Sequence, residues 1–282
     1  MSARAPLYIF CGKHLLAAKL RPSNCDPAEG ALEELQRVID QIRLRWTKTR
    51  ILVRGDSAYA REEIMSWCES QAIDYVFGLS SNPRLVRQTQ ATQEKALLDY
   101  QQRQEPVVWY RSLWYKTLES WSQFRRVVSK VEYTTQGCNI RFVVTSVCAK
   151  KMPPSRLYTQ QYCPRGEMEN RFKEQQLELF SDSEALLRSA DRTSTHTFQG
   201  NQLRLWFSSV AYVLMHNLRE SCLATTELAQ AMVGSIRTKL LKLGARILIS
   251  VRRILIAIST GCPYQAIFAT AYQRLQSLPR AG

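Results

Sequence analysis

Histidine is scarce in this chain, and its cysteines never fall in pairs. Among 282 residues there are three histidines, and the eight cysteines (Cys11, Cys25, Cys68, Cys138, Cys148, Cys163, Cys222 and Cys262) include no C-x-x-C spacing. Zinc sites draw their ligands from closely spaced Cys and His, so both zinc and a disulfide framework are disfavoured. The cysteines suit a reducing cytoplasm, mostly as small core residues. Long apolar runs are missing as well. Ala5 to Gly12 is too short, and too soon followed by Lys13 and His14, for a signal peptide. Leu205 to Leu218 falls short of a membrane span, and Gly261 and Pro263 break the run from Ile254 to Gln273. There is no Walker loop, no G-x-G-x-x-G, no internal repeat and no low-complexity tract, which removes support for nucleotide-triphosphate chemistry.

Acidic residues are in the minority. Lys and Arg total 39 against 24 Asp and Glu, a formal charge of +15 that is spread through the chain. Such an excess favours a polyanionic partner, because neutralising phosphates releases counterions. With 45% hydrophobic residues the chain can bury a real core, as one large domain or two moderate ones.

Leu7 to Cys11 and His14 to Leu20 flank Gly12-Lys13 and predict a β-hairpin. Asp26, Pro27 and Glu29 form a helix-start pattern of cap, first-turn proline and capping-box acid, with Leu32, Leu35, Ile39, Ile42 and Trp46 as the apolar face. Ile51-Leu52-Val53 then predicts a buried strand ending at Arg54-Gly55-Asp56-Ser57. A second helix carries Ile64, Trp67 and Cys68, and Ile73 to Leu79 forms a further strand. Strands alternating with helices imply a sheet with helices on its faces, in which ligands bind beyond the carboxyl ends of the strands. Asp56 stands at such an end, although a helix N-cap for the segment beginning near Ala58 is the plainer reading.

Asn82 to Gln104 reads as a surface helix exposing Arg84, Arg87 and Arg103. Between Val107 and Val147, Trp109, Tyr110, Trp114, Tyr115, Trp121, Tyr133 and Phe142 in alternating runs and the turn Gln136-Gly137-Cys138-Asn139 predict a β-rich insertion. Its aromatics interleave with Lys and Arg, which suits base stacking or, more plainly, packed sheet faces. Leu203 to Leu218 is apolar nearly all round and predicts a buried helix, with His216 a satisfied core residue. Arg237, Lys239, Lys242, Arg246, Arg252 and Arg253 punctuate an apolar segment as a basic stripe on a helix and then a strand, the best candidate for a phosphate-backbone surface.

The most informative stretch is Tyr162 to Gln176. Read as a helix opening at Pro164, it places Met168, Phe172, Gln175 and Leu179 on one side and Arg165, Glu169, Lys173 and Gln176 along the adjacent edge. Alone, that edge is an i,i+4 salt-bridge ladder. Paired with the Arg-Gly-Asp-Ser strand end it means more. The segments Leu20 to Asn24, Val53 to Ser57, Tyr75 to Leu79, Arg165 to Arg171, Lys173 to Leu177 and Asn201 to Trp206 run in the order seen in DDE transposases of insertion sequences. The chain resembles the thirteen-eighty family, related to the group typified by insertion sequence four.

The resemblance implies an α/β fold with an RNase H-like catalytic core, a mixed sheet flanked by helices and interrupted by the β-rich insertion. The expected divisions are 1–105 (first part of the core), 106–160 (insertion), 161–223 (second part, with the glutamate helix) and 224–282 (basic C-terminal segment). It implies DNA transposition by two-metal phosphoryl transfer with Mg²⁺ or Mn²⁺ held by carboxylates. Asp56 and Glu169 would be the second and third acids, with Glu167 as rival for the third. Tyr162 and Arg165 would contact DNA phosphate near the scissile bond, Lys173 would supply the lysine contact that the family pattern places at Gln176, and Arg237, Lys239, Lys242, Arg252 and Arg253 would hold the backbone. The implied partner is double-stranded DNA bearing terminal inverted repeats, bound by a homodimer at synapsis, in the cytoplasm at the nucleoid.

Two departures shape the expectation. The family's first catalytic Asp lies upstream of the segment matching Leu7 to Gly12, where Met1 to Pro6 contain no acid. The chain is therefore expected to be an N-terminally truncated copy, lacking the first strand and that Asp, with little strand cleavage by itself. A non-catalytic DNA-binding remnant or regulator of transposition is the alternative. Ser183 to Asp191 reads as an insertion in a loop.

Overall fold

The computed structural model describes residues 6–22, 24–165, 197–259 and 261–278. The chain divides into two compact units, Asn24–Met168 and a second that joins Met1–Ser23 to Glu169–Gly282.

The Asn24–Met168 unit is built on one five-stranded mixed sheet. β3 (Leu52–Gly55) and β4 (Asp74–Leu79) run parallel, and β5 (Val107–Tyr115), β6 (Arg125–Thr134) and β7 (Gly137–Thr145) follow antiparallel, in the order β3-β4-β7-β6-β5. The aromatic-rich strands predicted as an insertion thus continue the sheet of β3 and β4, joined to it through the pairing of β4 with β7. Alternation along each strand sends Tyr75 and Phe77 to one face and Val76 and Gly78 to the other. On the first face, α2 (Glu62–Ser70) packs against β4, burying Ile64, Met65 and Cys68, and α4 (Gln90–Arg103) packs on β5 and β6. On the second, Val76, Val128 and Val143 meet Leu157 and Tyr158.

An ion-pair network fastens α2 to the sheet. The Arg125 side chain, 2% exposed, donates to Glu62 Oε2 at 2.6 Å and Glu69 Oε1 at 2.7 Å. Tyr75 Oη also donates to Glu69. Burial alone would raise the Glu62 carboxyl, but hydrogen bonds from Arg125, Ser122 and Ser66 bring it down to about 2. Its neighbour Arg126 is also buried; its guanidinium donates to the carbonyls of Val147 (2.8 Å) and Met152 (3.0 Å), stitching the loop after β7 to the sheet.

Three local expectations need correcting here. α1 (Ala31–Arg45) starts five residues after Asp26, because Gly30 adopts the left-handed conformation (φ 71°) and Asp26 instead closes a turn by accepting from Ala28 N–H at 2.8 Å. Leu35 and Ile39 are buried on it as expected, whereas Trp46 is its exposed C-cap. Asn82 to Gln104 forms two helices, not one: α3 (Pro83–Gln88), whose N-cap Asn82 accepts from the N–H groups of Arg84 and Leu85, and then α4. The helix expected to open at Pro164 is preceded by helical backbone from α5 (Pro154–Arg156), with Pro154 in the first turn. It runs on as a π-helical stretch (Leu157–Tyr162) and a 3-10 turn (Cys163–Arg165).

In the second unit, β1 (Leu7–Cys11) and β2 (His14–Lys19) form the predicted hairpin, with Gly12 at φ 58° in its turn. α6 (Phe198–Asn217) packs on β2. It was expected to be buried all round, yet only the face with Leu205, Ser208, Tyr212 and Met215 is buried, while Trp206, Phe207, Val210 and Leu214 are exposed. A small core of Leu223, Leu228, Val233, Ile236 and Leu240 gathers α7 (Val233–Ile236), the π-helical Arg237–Leu241 and α8 (Gln265–Ser277). Between them lies a hairpin of β8 (Ala245–Ile249) and β9 (Ile254–Ile258).

Candidate active site

Asp56 follows the last residue of β3, at the carboxyl end of the parallel pair β3–β4, where the sequence placed it. It is exposed, and it is also the N-cap of the 3-10 turn Ser57–Tyr59: Oδ1 accepts from Ala58 N–H at 2.9 Å. The capping bond was the plainer reading, and the structure contains it. The bond to Ala58 N–H fixes the carboxylate rotamer, and a carboxylate accepts through about four lone pairs, so capping does not by itself preclude ligation.

The turn around Asp56 is tightly built. At Gly55 a Cβ would stand 2.9 Å from Cδ2 of Tyr59 and 3.1 Å from the Phe77 ring, so only hydrogen lets Tyr59 fold back over the strand end. Arg54 reaches across to the helical segment and donates to the Gln161 carbonyl at 3.1 Å. Next in that segment, Tyr162 lies against Gly78 of β4. Its ring tilts against Tyr158 (centroids 5.4 Å apart), which in turn meets Tyr110 at 5.6 Å. Burial pushes the Tyr158 hydroxyl up to about 12, so it stays protonated. The π-helical stretch is the wider-than-α geometry that occurs mostly as local bulges, often at functional sites.

Asp56 and Tyr162, 106 positions apart in sequence, are thus brought to one corner of the sheet. Arg165 follows on the 3-10 turn, its backbone described and its side chain not. Glu169 and its rival Glu167 lie outside the described residues, as do Lys173 and the 183–191 insertion.

The C-terminal cations belong to the other unit. Arg237 and Lys239 lie on the π-helical stretch and Lys242 caps it, so the stripe begins on helix as expected. Arg252 and Arg253, expected on a strand, occupy the exposed turn between β8 and β9 instead. Lys239 Nζ sits 4.9 Å from the Tyr264 ring centroid and 3.9 Å from Glu227.

Among the described residues, one group of three potential metal ligands comes together: His14, His216 and Glu220, with ligating atoms within 4.8 Å. Arg219 lies 3.2 Å from His216 Nδ1, and a guanidinium only donates, so the ring's proton is on Nε2, which faces Glu220 Oε2 at 3.3 Å. Lys13 pairs with the other oxygen of Glu220. Ion pairs hold this cluster together; Nε2 of His216 does not meet hydrogen-bond geometry toward Glu220, but the ring is buried, in keeping with the reading of His216 as a core residue, though not as a fully satisfied one.

A family model described as transposase DDE domain group 1 matches residues 3–280. The chain belongs to the DDE transposase family. No curated protein sequence matches it. Membership carries a transposition function, a DNA substrate and, in general, the use of a divalent metal. The mixed sheet flanked by helices agrees with that domain. Among the described residues, no helix is long and apolar enough to cross a membrane.

For the metal, the donor chemistry at Asp56 fits. It is an exposed carboxylate with its rotamer fixed by a backbone N–H, and hard divalent cations take oxygen donors. Two features escaped sequence reading, Gly55 and Gly78. Glycine inside a strand pattern signals close approach of another group, and both stood in segments that resembled the family.

Proposed function

We propose that this transposase acts on the DNA ends of an insertion sequence of the thirteen-eighty type through an RNase H-like core, with Asp56 and Glu169 as metal-holding carboxylates. The observation that carries the reading is the position of Asp56 at the carboxyl end of β3 with Tyr162 of the Tyr162–Glu169 motif beside it, in a chain matched by the family over residues 3–280. When bound, Mg²⁺ or Mn²⁺ would activate water or a 3′-hydroxyl and stabilise the leaving oxygen. Asp56 holds one ligand position through its bond to Ala58 N–H, and Glu169 is assigned as the other carboxylate. Tyr162, Arg165 and Lys173 are assigned to DNA phosphate next to the scissile bond. Arg237, Lys239, Lys242, Arg252 and Arg253 are assigned to the backbone farther out, where counterion release supplies affinity without sequence reading. Double-stranded DNA with terminal inverted repeats is the substrate, brought together by a homodimer in the cytoplasm.

β1 reads Leu-Tyr-Ile-Phe-Cys and carries no acid, so the reading assigns two metal-holding carboxylates within residues 1–282, Asp56 and Glu169. Two carboxylates are a sparse ligand set for a hard divalent cation, and little strand cleavage by residues 1–282 alone is the proposal. A supercoiled plasmid carrying terminal inverted repeats, incubated with Mg²⁺ or Mn²⁺, tests this. Binding without nicking is the expected outcome, while robust nicking abolished by Glu169→Ala would contradict the low-activity reading and affirm the glutamate. DNA binding unchanged by Asp56→Ala, with no metal dependence anywhere, would favour a non-catalytic DNA-binding regulator instead.

A further inference from the structure

The last pair in the parallel ladder of β3 and β4 is Gly55 with Phe77, so the next residue of β4, Gly78, stands where the chain turns off into Asp56. Strand alternation directs this position to the same face as Val76, which packs against Leu157 and Tyr158 of the helical segment. A Cβ built on Gly78 would meet three atoms: the Tyr162 hydroxyl at 2.7 Å, Ser57 N at 3.0 Å and the Asp56 carbonyl carbon at 3.3 Å. The first two distances are shorter than or at the limit of what real side chains tolerate. Two elements distant in sequence therefore close on one hydrogen atom of Gly78: the turn bearing Asp56, and the last residue of the π-helical stretch.

We propose that Gly78 is a positioning residue of the transposase site, its bare α-carbon setting the spacing between the Asp56 turn and the helical segment that continues through Arg165. The inference rests on the reading of Asp56 as a metal ligand. It gives Gly78 a role that strand propensity does not explain, since glycine weakens a strand interior that Val, Tyr and Phe otherwise fill. It also gives Tyr162 a task in the absence of DNA. With a methyl group at position 78, either the Tyr162 ring withdraws, taking the start of the motif with it, or the Ser57 peptide shifts and reorients the Asp56 carboxylate. The Arg54 bond to Gln161 tethers the same two elements one residue to the side, so neither moves without cost.

The test is a cycle of four full-length proteins: wild type, Gly78→Ala, Tyr162→Phe and the double variant. Each is measured by urea unfolding and by Mn²⁺ affinity without DNA. Gly78→Ala is expected to weaken Mn²⁺ binding about tenfold, the scale typical of residues that support metal ligands. Tyr162→Phe removes the oxygen that the new methyl meets first, so the double variant is expected to recover part of that loss. The unfolding constants are expected to be non-additive by about fivefold, as for groups in direct contact. Additive unfolding constants overturn the contact. Coupled unfolding with Mn²⁺ affinity equal in all four proteins, while Asp56→Asn abolishes binding, overturns the positioning role. If the wild type binds no Mn²⁺, or Asp56→Asn leaves its affinity unchanged, the metal reading itself fails, and with it Gly78's role toward metal. Should Gly78→Ala not fold, Tyr162→Leu probes the contact from its other side: an affinity about tenfold lower supports the proposal and an unchanged affinity refutes it.

Discussion

Replacing Glu62 by Gln tests the ion-pair network that seats α2 on the sheet. In the folded protein the Glu62 carboxyl titrates at about 2 against an ordinary value of 4.5. A group with a depressed folded pKa contributes stability that is full above the unfolded pKa and disappears as pH falls through the folded one. The window therefore runs from about pH 4.5 down to about 2. Taken whole, the shift corresponds to about 3 kcal/mol at about 1.4 kcal/mol per pH unit. The side chain is still 29% exposed, and solvent screening brings the expected contribution to about 1–2 kcal/mol. Glu69, hydrogen-bonded to the same guanidinium, is depressed in the same direction and keeps Arg125 paired in the variant. Amide hydrogen exchange of β6 and β7, followed from pH 7 to pH 3, isolates this unit from the other. Glu62→Gln should lower protection by the stated amount near neutrality, with the difference from wild type shrinking below pH 4.5. A difference that is constant across the range, or grows on acidification, would refute the electrostatic reasoning.

Other substitutions probe the remaining supports. Gly55→Ala should destabilise the Asn24–Met168 unit by about 1–3 kcal/mol in urea unfolding, because the methyl group would overlap the Tyr59 ring and crowd the Phe77 ring as well; a neutral effect would show that Tyr59 folds elsewhere. Arg126→Met should cost about 2–4 kcal/mol by leaving the Val147 and Met152 carbonyls without their donor in a buried setting, read from the urea midpoint. Replacing Arg252 and Arg253 by Ala should reduce the slope of log K against log[salt] for duplex DNA by about 2, at about 0.9 per phosphate, without changing sequence preference; an unchanged slope would remove the β8–β9 turn from the interface.

The sequence made the Asp56 corner legible because its signals are local. A β-branched and aliphatic run ending in Arg-Gly-Asp-Ser marks a strand and its exit, and the structure has β3 ending at Gly55 with Asp56 next, although among the described residues β3 is an edge strand in which Gly55 alone is buried, not the buried strand expected. The hairpin β1–β2 was equally plain from Gly12 between two apolar runs. What went astray depended on tertiary context. Asp26-Pro27-Glu29 is a sound helix start in isolation, but Gly30 in the left-handed conformation defers the helix to Ala31. α6 is apolar on both sides in sequence, and periodicity carries no information on which side is covered. The joining of the aromatic strands to β4 required long-range pairing of Leu79 with Phe142 and its neighbours, which no local pattern announces. The Gly78 approach was hidden for the same reason. Its partners are Tyr162 and the Asp56–Ser57 peptide, and only the register of β3 on β4 aligns them.

The central proposal is that Asp56 and Glu169 are metal-holding carboxylates. Fe²⁺ can occupy such an oxygen-ligand site and, with ascorbate and peroxide, cuts the polypeptide close to where it is bound. Mapping the fragments of the full chain by mass spectrometry should give two clusters of cuts, around Gly55–Ser57 and around Glu169. Both should be suppressed by excess Mg²⁺ and lost in Asp56→Asn. Cuts confined to the neighbourhood of His14 and His216, or a pattern indifferent to Asp56→Asn, would contradict the account.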